Sequence, residues 1–261
     1  MLLRVISALV MLPLLLAVLF LLPPWGTLAL ALVAVALAVW EYAALSAALG
    51  LPIPRAVAVI GAMAACAAFV SPDPPLTIVL SAIVIAGAGL AIAGGRPTRD
   101  LLGAVSSMAF AALWIGIPLG TLVAVRRYSG AETLMPLIFT IVVSDSAQYY
   151  TGRAFGRRPL SPAISPKKTL EGAIGGLVLA VPAMIWSGSY FLPGVGWEWL
   201  ALLGAAIAVL GMAGDLFESA IKRAAGLKDS SGLIPGHGGI LDRLDAWFFA
   251  APVYYAFLRS W

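Results

Sequence analysis

Between Gly214 and Asp245 the chain reads G-D-L-F-E-S-A-I-K-R-A-A-G-L-K-D-S-S-G-L-I-P-G-H-G-G-I-L-D-R-L-D. This stretch holds five of the twelve acidic residues, four of the sixteen basic ones and the only histidine of a chain that is 62% hydrophobic. An ionisable group at the centre of a bilayer costs about 2.5–3.5 kcal/mol on insertion scales, so such groups point to function first. On a helix, Asp215, Glu218, Ser219 and Lys222 recur at i, i+3, i+4 and i+7 and share one face. Asp242 and Asp245, at i and i+3, share a face of the helix that follows. Hard carboxylate oxygens on two neighbouring helices suit Mg²⁺, which keeps several waters and takes one or two carboxylates plus substrate phosphates. Asp215, Asp242 and Asp245 are therefore the candidate metal ligands, with a second cation left open. The plain alternative is that these carboxylates only pair with Lys222, Arg223 and Arg243.

Glycines between the two helices let backbone N–H groups approach an anion closely. The segment Gly232 to Gly239 supplies them, and a helix beginning near Ile240 offers its N-terminus to phosphate. A bare Gly-rich loop is a weak signal, but Lys228, Asp229, Asp242 and Arg243 flank this one. His237 can act as a general base, a phosphate donor or a turn-stabilising partner. A phosphate nucleophile is already ionised at neutral pH and needs no base, so orientation or phosphate contact fits better.

A second polar stretch runs Ser165-Pro166-Lys167-Lys168-Thr169-Leu170-Glu171-Gly172. It reads as loop into helix, with Thr169 as N-cap and Glu171 in the first turn. Lys167 and Lys168 then flank a positive helix end, ready for a triphosphate or for anionic lipid head groups. Arg153, Arg157 and Arg158 serve equally as phosphate contacts or as topology signals. Asp145, between Ser144 and Ser146 in an apolar helix, is expected to face a polar cavity. Glu41 either does the same or lies at an interface beside Trp40 and Tyr42.

Two ordered blocks carry a family resemblance. The first is Ser219-x-x-Lys222-Arg223, Lys228-Asp229, Pro235-Gly236-His237-Gly238-Gly239 and Asp242-Arg243-Leu244-Asp245. The second is Ser144-Asp145-Ser146-Ala147-Gln148-Tyr149, Gly152-Arg153, Gly156-Arg157 and Ile164 to Gly172. Together they resemble the signature of the phosphatidate cytidylyltransferases, or CDP-diacylglycerol synthases. Gln148 departs from the pattern, which leads one to expect a small or apolar residue there. The resemblance covers roughly the last 120 residues, plus the Trp40-Glu41 pair. It implies transfer of the CMP moiety of CTP to phosphatidate, releasing pyrophosphate, with Mg²⁺ as cofactor. It also implies a homodimer whose partners are CTP, phosphatidate and membrane lipid, with no nucleic acid. Catalytic work would fall to Asp215, Asp242, Lys222 and His237. Substrate contacts would fall to Asp145, Lys167, Lys168, Thr169, Glu171, Ser219, Arg223, Lys228, Asp229, Gly238, Gly239 and Arg243.

The elements that must position these residues are membrane helices. A chain of 261 residues with only 11% charged side chains is not a soluble domain. A span needs about 20 apolar residues. The segments lie at about 3–22, 27–48, 55–71, 76–94, 101–125, 132–151, 169–191, 197–225 and 241–259, separated by Pro- and Gly-rich breaks. The expected fold is an all-α polytopic membrane protein of about nine transmembrane helices. It forms a single integral membrane domain, 1–261, with N-terminal helices over about 1–130 and a motif-bearing catalytic half over about 131–261. The first apolar run is longer than a signal-peptide core, and Pro23-Pro24-Trp25 is a poor cleavage site, so it is kept as a helix. Cys66, alone in an apolar run, is expected to pack rather than react.

Numbering loops across these helices puts Arg4, Arg55, Arg96, Arg99, Arg153, Arg157, Arg158, Lys167, Lys168, Lys222, Arg223, Lys228 and Arg243 on one side. Arg126, Arg127 and Arg259 fall on the other. The basic side is cytoplasmic by the positive-inside rule, so the N-terminus is cytoplasmic and the C-terminus outside. Both motif loops then face the compartment that holds nucleoside triphosphates, in a multi-pass protein of the cell inner (plasma) membrane. Two rival classes are an ion- or proton-coupled transporter relaying through Asp145, Asp215 and Glu218, and a related enzyme. The latter includes a CTP-dependent lipid kinase, or an alcohol phosphotransferase, whose Asp-rich run is not seen.

Overall fold

The computed structural model describes residues 13–70, 74–94, 101–233 and 238–261. Helix α1 occupies 13–21. Prolines end the breaks and start the helices, because a fixed φ near −65° and a missing N–H cost nothing there. Thus α2 (Pro24–Ala48) follows Pro23, α3 (Arg55–Ala67) follows Pro54 and α4 (Leu76–Ala93) follows Pro75. The fifth apolar segment is one continuous run built of α5 (Leu101–Ala111), a π-helical turn (Ala112–Gly116) and α6 (Ile117–Tyr128). A short 3-10 turn leads into α7 (Met135–Phe155). Strands β1 (Pro159–Ser161) and β2 (Ser165–Thr169) form an antiparallel hairpin, followed by α8 (Leu170–Phe191), α9 (Trp197–Ala224) and α10 (Leu241–Ser260).

Among the described residues a helix lies within each apolar segment, and the architecture is that of an all-α membrane protein. Among the described residues, five helices are both long and apolar enough to cross a membrane: Pro24–Ala48, Leu76–Ala93, Leu101–Tyr128, Leu170–Phe191 and Trp197–Ala224. α3 is shorter, whereas α7 and α10 are long but carry the motif charges. One expectation changes. Residues 165–169, read as loop, form β2, because the chain doubles back from α7 and Pro159 and Thr169 pair across the hairpin. Thr169 still caps α8 as expected, its Oγ1 accepting from Gly172 N at 3.1 Å.

The chain divides into two compact units. The first comprises Met1–Arg127 with Ile221–Leu244. Within it α3 packs on α2 and on the π-helical turn. A Cβ at Gly116 would strike the Ala62 carbonyl, and one at Gly120 would come within 2.7 Å of the Cys66 carbonyl. Cys66 itself is buried, in keeping with a packing role. Tyr42, Phe110 and Trp114 form an aromatic cluster, and the Tyr42 hydroxyl meets Ser107 Oγ at 2.7 Å. Arg126 donates to the carbonyls of Leu19 (2.9 Å) and Leu22 (3.2 Å), and the Arg127 guanidinium lies over the Trp25 ring. The pair thus satisfies acceptors at the C-terminal end of α1, where a cation is also favoured by the helix dipole.

The second unit comprises Tyr128–Ala220 with Asp245–Trp261. Here α7 lies against α8, with glycines at the contact. A Cβ at Gly172 would approach the Gln148 carbonyl to 2.8 Å, and those at Gly175 and Gly176 would strike the side chains of Thr151 and Gln148. Gly214 of α9 faces the Asp245 carbonyl of α10 in the same way. This is small-residue packing of the kind membrane helices use in place of a hydrophobic drive. The buried Tyr254 hydroxyl donates to the Thr133 carbonyl.

Candidate active site

The motif residues fall into two groups, one in each unit. In the first unit, Lys222 stands in the last turn of α9 and Asp242 in the first turn of α10. They form an ion pair whose side chains are only 9% and 7% exposed. Burial of this kind requires that the remaining lone pairs be met as well. They are: Asp242 Oδ2 accepts from Gly239 N (2.7 Å), Ser230 N (3.0 Å) and Ser230 Oγ (2.7 Å), while Oδ1 takes Lys222. Arg223 Nη1 donates to the Leu227 carbonyl at 3.0 Å, just past the end of α9. Lys228, Asp229 and Arg243 are exposed. Gly238 has φ +79°, a left-handed conformation that a side chain would strain, and a Cβ there would sit 2.6 Å from Asp242 Oδ2. His237 lies outside the described residues, as do Pro235 and Gly236.

The same unit contains the carboxylate that sequence left open. Glu41 of α2 is 5% exposed and faces neither solvent nor an interface. Its Oε1 accepts from Ser231 Oγ (2.6 Å) and Ile240 N (3.1 Å), and its Oε2 from Ser230 Oγ (3.0 Å) and Leu241 N (2.8 Å). A Cβ on Gly239 would collide with both Ser230 Oγ and this carboxylate. The Trp40-Glu41 pair was the available signal, but nothing local says which face of α2 turns inward. Neighbouring Trp40 is exposed and carries the Arg55 guanidinium over its ring at 4.9 Å.

In the second unit Lys168, at the end of β2, forms an ion pair with Asp215 of α9. The contact is charge against charge, without the alignment of a hydrogen bond. It is more open than the first pair, with side-chain exposures of 22% and 39%. Ser219 Oγ reaches Asp215 Oδ1 at 3.5 Å, a long contact. The close approach at Gly214 brings Asp245 within electrostatic reach of Asp215, Glu218 and Asp145. Gln148, the residue that departs from the family pattern, donates to Asp145 Oδ1 (3.4 Å) and Ser144 Oγ (3.3 Å). It therefore braces an acidic residue and packs on Gly176 rather than blocking the helix face. Glu171 accepts from the backbone N–H groups of Arg157 (2.9 Å) and Arg158 (3.2 Å), tying the turn after α7 to the start of α8. Those three residues with Ala154, Phe155 and Gly156 line a cavity of about 370 Å³. Lys167 is exposed on β2 of the hairpin.

Among the described residues, no three His, Cys, Asp or Glu side chains converge closely enough to hold a metal by themselves. The donor chemistry nonetheless fits a hard divalent ion that relies on water and phosphate for most of its shell. Asp215 and Asp242 each already accommodate a positive charge, in the form of an ammonium. Asp215 has the freer oxygens, and Asp245 lies in its electrostatic field with two further carboxylates. Asp242 has one oxygen committed to three loop donors, leaving only the Lys222 side for a cation.

Comparison with known proteins extends beyond these groups. A sequence model of the Cytidylyltransferase family matches residues 2–261. The chain is similar to a phosphatidate cytidylyltransferase of Thermotoga maritima, at 32% identity over 72% of this chain and 70% of that protein. It is similar to another of Bacillus subtilis, at 39% identity over 59% of this chain and 58% of that protein. An uncharacterized protein of Escherichia coli, YnbB, is 42% identical over 50% of this chain and 43% of its own length. The chain thus spans about half the length of several curated relatives it matches, and more of the Thermotoga maritima one.

Proposed function

The chain belongs to the cytidylyltransferase family, and from that premise we propose that it is a phosphatidate cytidylyltransferase, making CDP-diacylglycerol and pyrophosphate from CTP and phosphatidate. The observation that carries this reading is the pair of ammonium–carboxylate contacts, Lys222 with Asp242 and Lys168 with Asp215, built from the two motif blocks. The lipid phosphate oxygen attacks the α-phosphorus of CTP, a P–O bond forms, and the bond to the β-phosphate oxygen breaks with pyrophosphate leaving. No covalent enzyme intermediate is needed.

Each group has its own part. Lys168 and Lys222, with Arg223, neutralise phosphate oxygens, and fixed charges of this kind act where charge develops. Asp215 with Asp245 would hold Mg²⁺, and Asp242, separately, would do so through the oxygen that meets Lys222; the ion when bound supplies Lewis-acid charge to phosphate oxygens. Glycines 238 and 239 and the N-terminus of α10 bring backbone N–H groups to the same loop. Thr169 and Glu171 hold the start of α8, and so set where Lys167 and Lys168 stand. The cavity lined by Arg157, Arg158 and Glu171 is of a size suited to a polar head group. Lys228, Asp229, Arg243 and His237 complete the loop contacts, His237 by orientation or phosphate contact. Acyl chains stay in the bilayer.

We place this chemistry at the cytoplasmic face of the inner (plasma) membrane, in a protein of about nine spans with its C-terminus outside, on the strength of the basic-residue asymmetry. The working form is a homodimer, whose mass in detergent by light scattering tests it. The function is tested by turnover of labelled CTP by purified protein, with and without phosphatidate and Mg²⁺. Label in CDP-diacylglycerol that requires both is the expected result. Labelled product without phosphatidate, or CTP-driven phosphorylation of a lipid alcohol, overturns the reading in favour of a lipid kinase.

A further inference from the structure

Glu41 stands outside both motif blocks, on a helix whose sequence is otherwise apolar, and 189 to 200 residues away from the groups it binds. We propose that Glu41 is a positioning residue: its buried carboxylate closes the base of the α9–α10 loop and sets the geometry in which Lys222 and Asp242 work. The proposal rests on the reaction assigned above.

The carboxylate has about four lone-pair directions, and four polar hydrogens face them, the Ser230 hydroxyl sharing its single proton between Glu41 and Asp242. Two donors are Ser230 Oγ and Ser231 Oγ, where the loop leaves; two are Ile240 N and Leu241 N, where it returns. The latter belong to the orphan N–H groups at the positive end of α10. Such groups are ordinarily met by a local Ser, Thr, Asp or Asn cap. Here the cap comes from another helix, so the start of α10 is fixed to α2 and not merely to its own chain. The fit is tight, because Gly239 has no room for a Cβ between Ser230 and Glu41. Contact with the motif is direct: Ser230 Oγ lies 3.0 Å from Glu41 Oε2 and 2.7 Å from Asp242 Oδ2. One serine hydroxyl thereby joins the clamp to the carboxylate that pairs with Lys222. Glu41 itself, closed off by these four donors, touches no substrate.

The test compares Glu41→Gln and Glu41→Asp with Glu198→Gln, an exposed acidic control in the first turn of α9, all as full chains in lipid–detergent micelles. Glutamine keeps the size but replaces one oxygen by NH₂. A serine hydroxyl can turn and accept from it, whereas a backbone N–H cannot, so one bond at the start of α10 is lost in either orientation. Misplacement on the ångström scale costs roughly 10²-fold in rate. The expected result is kcat per folded molecule lowered by about that factor in Glu41→Gln, partly rescued in Glu41→Asp and unchanged in Glu198→Gln. Hydrogen exchange over 238–243 rises in Glu41→Gln while exchange in α3 stays at the wild-type rate. A merely structural Glu41 lowers the unfolding temperature but leaves kcat per folded molecule intact; that result overturns the proposal. If Glu41→Gln does not fold, Ser231→Ala removes one donor only, and a kcat loss of about tenfold is expected; wild-type kcat there overturns it equally. Wild-type protein that fails to turn over CTP sinks the assigned reaction, and exchange over 238–243 then decides the clamp alone: an unchanged rate in Glu41→Gln removes it.

Discussion

At the scale of single residues, the two ion pairs make different forecasts because they differ in burial. Lys222 and Asp242 are nearly closed off, whereas Asp215 is 39% exposed. Removing one partner of a buried pair strands the other charge and costs about 3–5 kcal/mol. An exposed pair is worth about 0–1 kcal/mol. Asp242→Asn is therefore expected to lose both turnover and thermal stability. Asp215→Asn is expected to lose turnover by at least about 10²-fold with its unfolding temperature near wild type, since it also relieves repulsion from Asp245. Differential scanning fluorimetry beside the CTP assay checks both; an active Asp215→Asn would take that residue out of the site. Lys168 separates two roles in the same way. If it holds a nucleotide phosphate, Lys168→Gln lowers kcat/KM for CTP by about 10–150-fold, the range of a charge-assisted bond of about 1.5–3 kcal/mol. The same change at Arg96, basic and assigned to the same side but outside both motifs, should leave kcat/KM alone. Equal small effects would make Lys168 a lipid-head-group contact.

At the scale of elements, the loop between α9 and α10 owes its shape to glycines with distinct reasons. Gly238 needs its positive φ, and Gly239 needs the absence of a side chain against Ser230 and Glu41. Gly239→Ala should thus cost more activity than Gly232→Ala, where nothing lies within 4 Å of the added methyl. Side-by-side CTP turnover decides, and equal activities would argue against a tightly closed loop. The start of α8 is simpler. Thr169→Ala deletes the N-cap bond to Gly172, an effect of about 1 kcal/mol that a unfolding-temperature shift should register. Much of this was legible beforehand: the N-cap, the Gly-rich turn and the helix starts all follow local rules. The β-hairpin was not, since three-residue β1 and five-residue β2 have no apolar alternation to announce them.

At the scale of the whole molecule, the charge asymmetry forecasts which loops are reached from which side. Ser230 is buried and hydrogen-bonded, so it is a poor labelling position. Leu233 is 53% exposed and serves better. In a Cys66→Ala background, a cysteine at Leu233 should be labelled from the cytoplasmic face, and one at exposed Pro193 only from outside. Labelling of Leu233 only from outside would remove the physical basis for cytoplasmic CTP.

By itself the sequence determined the membrane class, the helix segments and the family, all of which rest on local periodicity, composition and residue order. Tertiary structure alone decided which charges meet. Lys168 and Asp215 are 47 residues apart, and Lys222 and Asp242 sit on different helices, twenty residues apart. Their pairing depends on how helices lie against one another, and that is set by glycine contacts such as Gly214 on Asp245. Glu41 is the sharpest case. Whether a lone carboxylate on an apolar helix faces lipid, solvent or a partner is decided by the rotation of that helix. Only the packed unit, by surrounding one buried carboxylate with two hydroxyls and two backbone N–H groups, turns it inward.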